Sequence, residues 1–362
     1  MQSDFQLAEY MSQSIQSIIH SAARASIQNP KESAFLFKYL LESKKAEKIR
    51  VKYEKEGKHI PPFLIASITT NCNLSCKGCY ARACPSHSAL EDPCCLTPDH
   101  WRRIFQEAKQ IGVSFILLAG GEPMMQKEVI RCAGECSSII FPIFTNGTMI
   151  GSEELLLFDK KRNLVPILSL EGGEAETDAR RGSGIYQVLL KVMEQFKKKG
   201  IFFGVSITVT AANNSLVTRD DFIESLKRQG CKTVFFVEYV PVDGVSKGLV
   251  LSREESDAID RDVAHLRQRH PEMVFLSFPG DEKYSGGCLA AGRGFFHINA
   301  GGGAEPCPFS PYSETNLKDA ALLEVLSSPF FQKLAESGLL QQEHEGGCVL
   351  FQKDKEVKEL LG

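Results

Sequence analysis

The sequence predicts an α/β fold: six largely parallel strands with helical crossovers, an N-terminal helical extension before them and a small Cys-rich unit after them. Three observations predict it. Short β-rich runs at 63–69, 114–119, 139–145, 164–170, 201–209 and 233–240 alternate with helical stretches. Residues 1–60 are polar and helix-prone until Pro61 and Pro62 stop the helix. From 278 to 348 the chain is rich in Gly, Pro and Cys, a composition of irregular structure that needs something other than a core to hold it. The expected units are an N-terminal extension over 1–60, the α/β unit over 61–250, and a linker helix with the Cys-rich unit over 251–362.

The stretch 38–58 holds eight Lys or Arg against four Glu, which reads as a solvated helix face with offsetting charges rather than a surface for an acidic partner. Between the first two strands, Thr97 caps a helix with Pro98 in its first turn, and Trp101, Ile104, Phe105 and Ala108 recur on one face. Ser252 and Glu255 form a capping box for a helix running to about His270. Six strands with right-handed helical crossovers wind into an open doubly wound sheet or a partial barrel.

With 362 residues, 43% of them hydrophobic, the chain can bury a sizeable core. Its net charge of -3 gives no bulk electrostatic reason to bind nucleic acid or an anionic membrane. The first residues show no basic and apolar leader pattern, and no run reaches the roughly 18 apolar residues of a membrane span, so a cytoplasmic protein without a membrane span is expected. Twelve cysteines in such a chain point to metal ligation rather than to a disulfide framework.

Cys72, Cys76 and Cys79 lie in NCNLSCKGCYA, just past the first strand, where parallel sheets and barrels keep their active sites. Three thiolates so close suit an iron–sulfur cluster, but a [4Fe–4S] cube has four irons, and one is left open for chemistry. The alternative is a structural zinc knot or a ferredoxin-like carrier with Cys84 or His87 as fourth ligand. Asn146 lies in the Thr145-Asn146-Gly147-Thr148 turn after the third strand, either as part of an ordinary Asn-Gly turn or as an amide that reaches the ribose of a ligand. Glu238 on the sixth strand is costly to bury without purpose and is the candidate catalytic group. Ser206 and Thr208 on the fifth are candidates to face the interior.

The C-x3-C-x2-C pattern after the first strand of a six-fold βα repeat resembles the signature of the radical S-adenosylmethionine superfamily. The resemblance implies a partial (β/α)6 TIM-like barrel, with the cofactor's amino and carboxylate groups on the unique iron of a [4Fe–4S] cluster. Members often carry an aromatic residue before the third cysteine; here Gly78 stands there, and Tyr80 is the candidate to replace its packing against adenine. Gly120, Gly121, Glu122 and Pro123 resemble the family's GGEP turn, whose backbone meets the cofactor's ammonium end. Ser169 and Arg181 resemble cofactor-binding positions, the guanidinium suiting a carboxylate, with Arg180 as competitor.

Further on, Cys288 and Cys307 open a pattern similar to SPASM or twitch domains, a β-hairpin bearing ligands of an auxiliary [4Fe–4S] cluster, with Cys348 as third ligand. Too few cysteines follow for two clusters, so one auxiliary cluster is implied, its fourth ligand open. Cys132 and Cys136 share a helix face as buried hydrophobes, Cys231 carries no signal, and Cys94 with Cys95 sits in a loop beside the first set. The resemblance implies a ferredoxin or flavodoxin reductant and hydrogen abstraction by a 5′-deoxyadenosyl radical. The substrate it points to first is a peptide or protein, then a cofactor, lipid or small-molecule precursor; an electron-transfer protein is the rival from another class.

Overall fold

The β-rich runs become strands where the pattern puts them: β1 (Phe63–Ser67), β2 (Phe115–Ala119), β3 (Phe141–Thr145), β4 (Leu164–Leu170), β5 (Gly204–Val209) and β6 (Thr233–Glu238). Their near-continuous apolar character reflects a sheet covered on both sides, as parallel pairing requires. The computed structural model describes residues 2–27, 29–83, 95–242, 244, 246–342 and 348–361. Cys84, His87 and Cys94 lie outside the described residues.

The sheet does not stop at β6. Val274–Phe278 forms β7, parallel to β6, and the short β8 (His297–Ile298) pairs parallel to β1 before turning back as β9 (Ala304–Glu305). The order β7-β6-β5-β4-β3-β2-β1-β8-β9 curls into a half-barrel, so the sheet runs past residue 250 into the region expected to be a separate linker and Cys-rich unit. That region also brings a core of its own, with Phe296, Leu317, Val325, Phe330 and Leu334 fully buried and continuous with the barrel core, contrary to the expectation that a staple alone must hold it.

The N-terminal residues form two helices, α1 (Gln2–Ala25) and α2 (Pro30–Lys55). They lie across the barrel rather than projecting from it. Tyr39 donates to the Ser114 carbonyl at 2.7 Å, and Arg50, from the basic stretch expected to be solvated, is buried and bonded to Gly112 O and Ser114 Oγ. Glu32 pairs with Arg162 at 3.2 Å, both buried. Between β1 and β2, α3 (Pro98–Ile111) is capped by Thr97 and buries Trp101, Ile104, Phe105 and Ala108 against the sheet, as its pattern predicts. Burial of a side chain such as Ile104 or Phe105 contributes about 1.5–3 kcal/mol. No helix among the described residues is long and apolar enough to cross a membrane.

Alternate strand residues face the hollow of the half-barrel. Aromatic rings divide that hollow: Phe144 packs edge-on to Phe235 with centroids 5.1 Å apart, and Phe63 to Phe295 at 5.9 Å. Below them an apolar cavity of about 410 Å³ is closed by α1 and α2. Above them, at the C-terminal ends of the strands, lies a second cavity of about 270 Å³.

Candidate active site

The loop that leaves β1 carries Cys72, exposed, and Cys76 and Cys79, half-buried. The turn after β2 lies directly on this loop. Gly121 N donates to Thr69 O and Glu122 N to Asn71 O, each at 2.8 Å. A Cβ at Gly120 would stand 2.3 Å from Thr69 O and one at Gly121 2.0 Å from Asn71 O, so both positions require glycine for the approach of two chain segments. The sequence pointed to a ligand as the reason for that close approach; the backbone of the cysteine loop is the neighbour.

Glu122 is 1% exposed and uses its carboxylate as an internal tie. Oε1 accepts from Thr145 Oγ1 at 2.7 Å and Met124 N at 3.0 Å, and Oε2 accepts from Asn146 N at 2.8 Å. Burial pushes its pKa up against these bonds. Asn146 extends the tie, its Nδ2 donating to Asn73 Oδ1 of the cysteine loop at 2.9 Å while its Oδ1 accepts from Thr148. The ends of β2 and β3 thereby hold the cysteine loop in place.

Beyond β4, the two neighbouring arginines converge on one buried carboxylate, Glu171. Arg180 Nη1 reaches Glu171 Oε1 at 2.6 Å and Thr208 Oγ1 at 2.7 Å, and Arg181 Nε reaches the same oxygen at 2.8 Å. Two guanidinium groups on one carboxylate leave a net positive charge. It is directed at the cysteines: Arg181 Nη1 stands 3.9 Å from Cys76 Sγ, and Arg180 Nε donates to Lys77 O at 3.2 Å. Burial raises the Cys76 pKa, and Arg181 opposes it most strongly. Arg180, the competitor that the sequence offered beside Arg181, shares its carboxylate, and Glu171 carries no spacing signal of its own.

The missing aromatic at position 78 is supplied from elsewhere. Gly78 has φ +61°, and a Cβ there would lie 2.6 Å from the Tyr239 hydroxyl, so the ring of Tyr239, just past β6, occupies that space. Tyr80, the expected replacement, packs edge-on to Phe309 with centroids 5.6 Å apart and joins the cysteine loop to the C-terminal region. Glu238 accepts a hydrogen bond from Ser256 Oγ at 2.7 Å, which fixes it at the cavity wall. Ser169, Ser206 and Thr208 line the same wall.

The C-terminal thiols reach this cavity from the other side. Cys288 and Cys307 flank the β8–β9 hairpin, and Cys348 begins the helical turn Val349–Gln352, its sulfur accepting from Phe351 N at 3.4 Å. All three are buried. Cys307 and Cys348 are hydrogen-bonded to each other, which pushes Cys307 up and Cys348 down. Glu282, on the turn Gly280–Ser285, lies beside Cys288, and burial lifts its pKa to about 7. The hairpin is tied to β1 through His297, whose rings nitrogens meet Ser67 Oγ at 2.8 Å and Glu305 Oε2 at 2.7 Å, all of them fully buried.

The candidate metal, cofactor-binding and catalytic residues Cys72, Cys76 and Cys79; Gly120, Gly121 and Glu122; Asn146, Ser169, Arg181 and Glu238; and Cys288, Cys307 and Cys348 therefore line one cavity. Among the described residues no group of three such side chains converges where a single ion would sit. A four-iron cluster takes each thiolate on a different iron, so it does not require that convergence. Cys132, Cys136 and Cys231 are buried in the core, and Cys95 is half-buried away from the cavity.

Residues 66–226 match the Radical SAM superfamily. The chain is 27% identical over 325 residues to the AdoMet-dependent heme synthase of Methanosarcina barkeri, covering 81% of this chain and 89% of that protein. It is 25% identical over 292 residues to the PqqA peptide cyclase of Granulibacter bethesdensis, covering 75% and 76%. Among solved structures it resembles Streptococcus suis SuiB bound to its precursor peptide SuiA, with TM-score 0.67 and 19% identity over 88% of this chain and 79% of that one. At that identity the likeness is one of fold, and it matches the partial barrel.

Proposed function

Because this chain belongs to the radical S-adenosylmethionine superfamily, we propose that Cys72, Cys76 and Cys79 hold its catalytic [4Fe–4S] cluster and that Cys288, Cys307 and Cys348 hold an auxiliary one facing it. When bound, the first cluster and S-adenosylmethionine supply reductive cleavage to a 5′-deoxyadenosyl radical, which abstracts hydrogen from substrate. The observation that carries this is the single cavity shared by both sets of thiols at the C-terminal ends of the parallel strands.

The chain's own residues bind and orient. Arg181, with Arg180 beside it over Glu171, offers the net positive charge that receives the cofactor's carboxylate next to Cys76. The Gly120–Glu122 backbone, Asn146 and Ser169 contact the rest of the cofactor from the ends of β2, β3 and β4. Glu238, held by Ser256, positions or accepts a proton at the substrate. A ferredoxin or flavodoxin serves as reductant, approaching from the side of the exposed Cys72. The aromatic layer beneath excludes water from the reacting atoms.

For substrate, a peptide is favoured, one side chain entering the cavity from its mouth. The fold of SuiB and the similarity to a PqqA peptide cyclase support it. A small-molecule precursor of a cofactor is the second reading, supported by the 81% of this chain that aligns with a heme synthase. The test is 5′-deoxyadenosine release by anaerobically reconstituted protein with dithionite, for wild type and Cys76→Ala. Release by the wild type alone is expected. Wild type loaded with iron and sulfide that neither binds nor cleaves the cofactor sinks the reading.

A further inference from the structure

Three cysteines leave one place of a four-iron cluster without a protein ligand. The described thiols outside the two sets, Cys95, Cys132, Cys136 and Cys231, do not line the cavity. We propose that the Glu282 carboxylate fills that place and is the fourth protein ligand of the auxiliary cluster. The inference rests on the assignment of Cys288, Cys307 and Cys348 to that cluster.

Two independent features point to it. First, Glu282 lines the same cavity wall as Cys288, Cys307 and Cys348, its carboxyl beside the Cys288 thiol, so it stands within reach of whatever Cys288 binds. The other carboxylates on that wall are already engaged, Glu238 by Ser256 and Glu122 by Thr145 and the N–H groups of Met124 and Asn146.

Second, the turn that carries Glu282 is built rigidly. Ser285 Oγ donates to Glu282 O at 2.7 Å or Gly287 O at 2.9 Å, and Glu282 N donates to Pro279 O at 2.7 Å. Arg267 holds the neighbouring Asp281 by both carboxylate oxygens at 2.8 Å, and a Cβ at Gly280 would lie 2.3 Å from Asp260. A side chain on so fixed a base is presented at low entropic cost.

A carboxylate is a harder donor than a thiolate and binds iron less tightly in a sulfide-rich cluster. The iron it holds is therefore the exchangeable one, and its ligand set tunes the cluster's potential.

The experiment isolates this cluster in the Cys72→Ala, Cys76→Ala, Cys79→Ala triple variant, reconstituted anaerobically. It compares Glu282 with Glu282→Ala and Glu282→Cys by iron and sulfide content, electron paramagnetic resonance and midpoint potential. The parent is expected to bind about four irons and to give a reduced-state signal unmoved by added imidazole. Glu282→Ala is expected to lose an iron on mild oxidation or to shift its signal with imidazole, and Glu282→Cys to restore four irons at a lower potential. Identical signals and imidazole responses in all three overturn the Glu282 assignment while leaving the cluster standing. A triple variant that binds no iron with Glu282 intact overturns the auxiliary cluster itself, and Glu282 with it.

Discussion

Tyr239 fills the space that a side chain at Gly78 would need: a Cβ built there would lie 2.6 Å from the tyrosine hydroxyl and 2.8 Å from a ring carbon. The aromatic packing of the cysteine loop is thus delivered through space from the end of β6. Gly78→Phe, the residue type common at this motif position in the family, should lower cluster retention sharply, because it adds a clash to a positive φ that costs about 1–2 kcal/mol for a non-glycine residue. Tyr239→Ala in the same chain should recover part of the loss. Iron content after desalting reads both; a single Gly78→Phe variant that keeps its iron contradicts the packing relation.

Glu171 holds two arginines. Glu171→Gln leaves two partly buried guanidinium groups with no counter-charge, and breaking such a pair from one side costs up to about 3–5 kcal/mol. A lower urea midpoint is expected, read by the fluorescence of Trp101, the chain's single tryptophan and fully buried. A midpoint equal to wild type means that Arg180 and Arg181 find other partners.

Glu32 is 2% exposed and paired with Arg162, yet burial lifts its pKa from 4.5 to about 7, Arg162 pulling the other way. Between those values the folded chain keeps a proton that the unfolded chain has released. Stability therefore falls as pH rises from about 4.5 to about 7 and levels off beyond. A shift of that size corresponds to on the order of 3 kcal/mol across the window. Glu32→Gln should flatten this part of the stability profile; a slope unchanged from wild type refutes the protonated carboxyl.

Ser67, His297 and Glu305 are aligned like a hydrolytic triad, but all three are fully buried between β1 and the hairpin. The contacts bind the C-terminal region to the barrel. A serine-directed fluorophosphonate should leave Ser67 unlabelled, and His297→Ala should lower the urea midpoint, since removing one partner of a buried charged contact costs several kcal/mol. Labelling of native protein would show an open path that this packing denies.

Six strands were legible as apolar runs set between helical stretches, and the helix after Thr97 by the repeat of its apolar face. β7 was not: its five residues follow a long helix and run at once into a Gly-rich stretch. β8 and β9 have two residues each and no period at all. The cysteines could be found by spacing, and Arg181 by its place after β4. Glu282 could not, because an isolated glutamate in GDEKYS gains meaning only when the chain folds back on Cys288. Nor does any local pattern tell that Tyr239 stands in for an aromatic at position 78, or that Arg50, inside a basic run, is turned inward to Gly112 O.

The pairing of Ile65 with His297 has a temporal consequence. During synthesis, β1 leaves the ribosome more than two hundred residues ahead of β8, and at roughly 5–20 residues per second that is a delay of ten seconds or more. Throughout it β1 is a raw sheet edge, with the N-terminal cysteine loop open to solvent and accessible to whatever machinery loads iron. The C-terminal segment arrives last and pairs with that edge, so the cysteine loop stands open before the chamber closes over it.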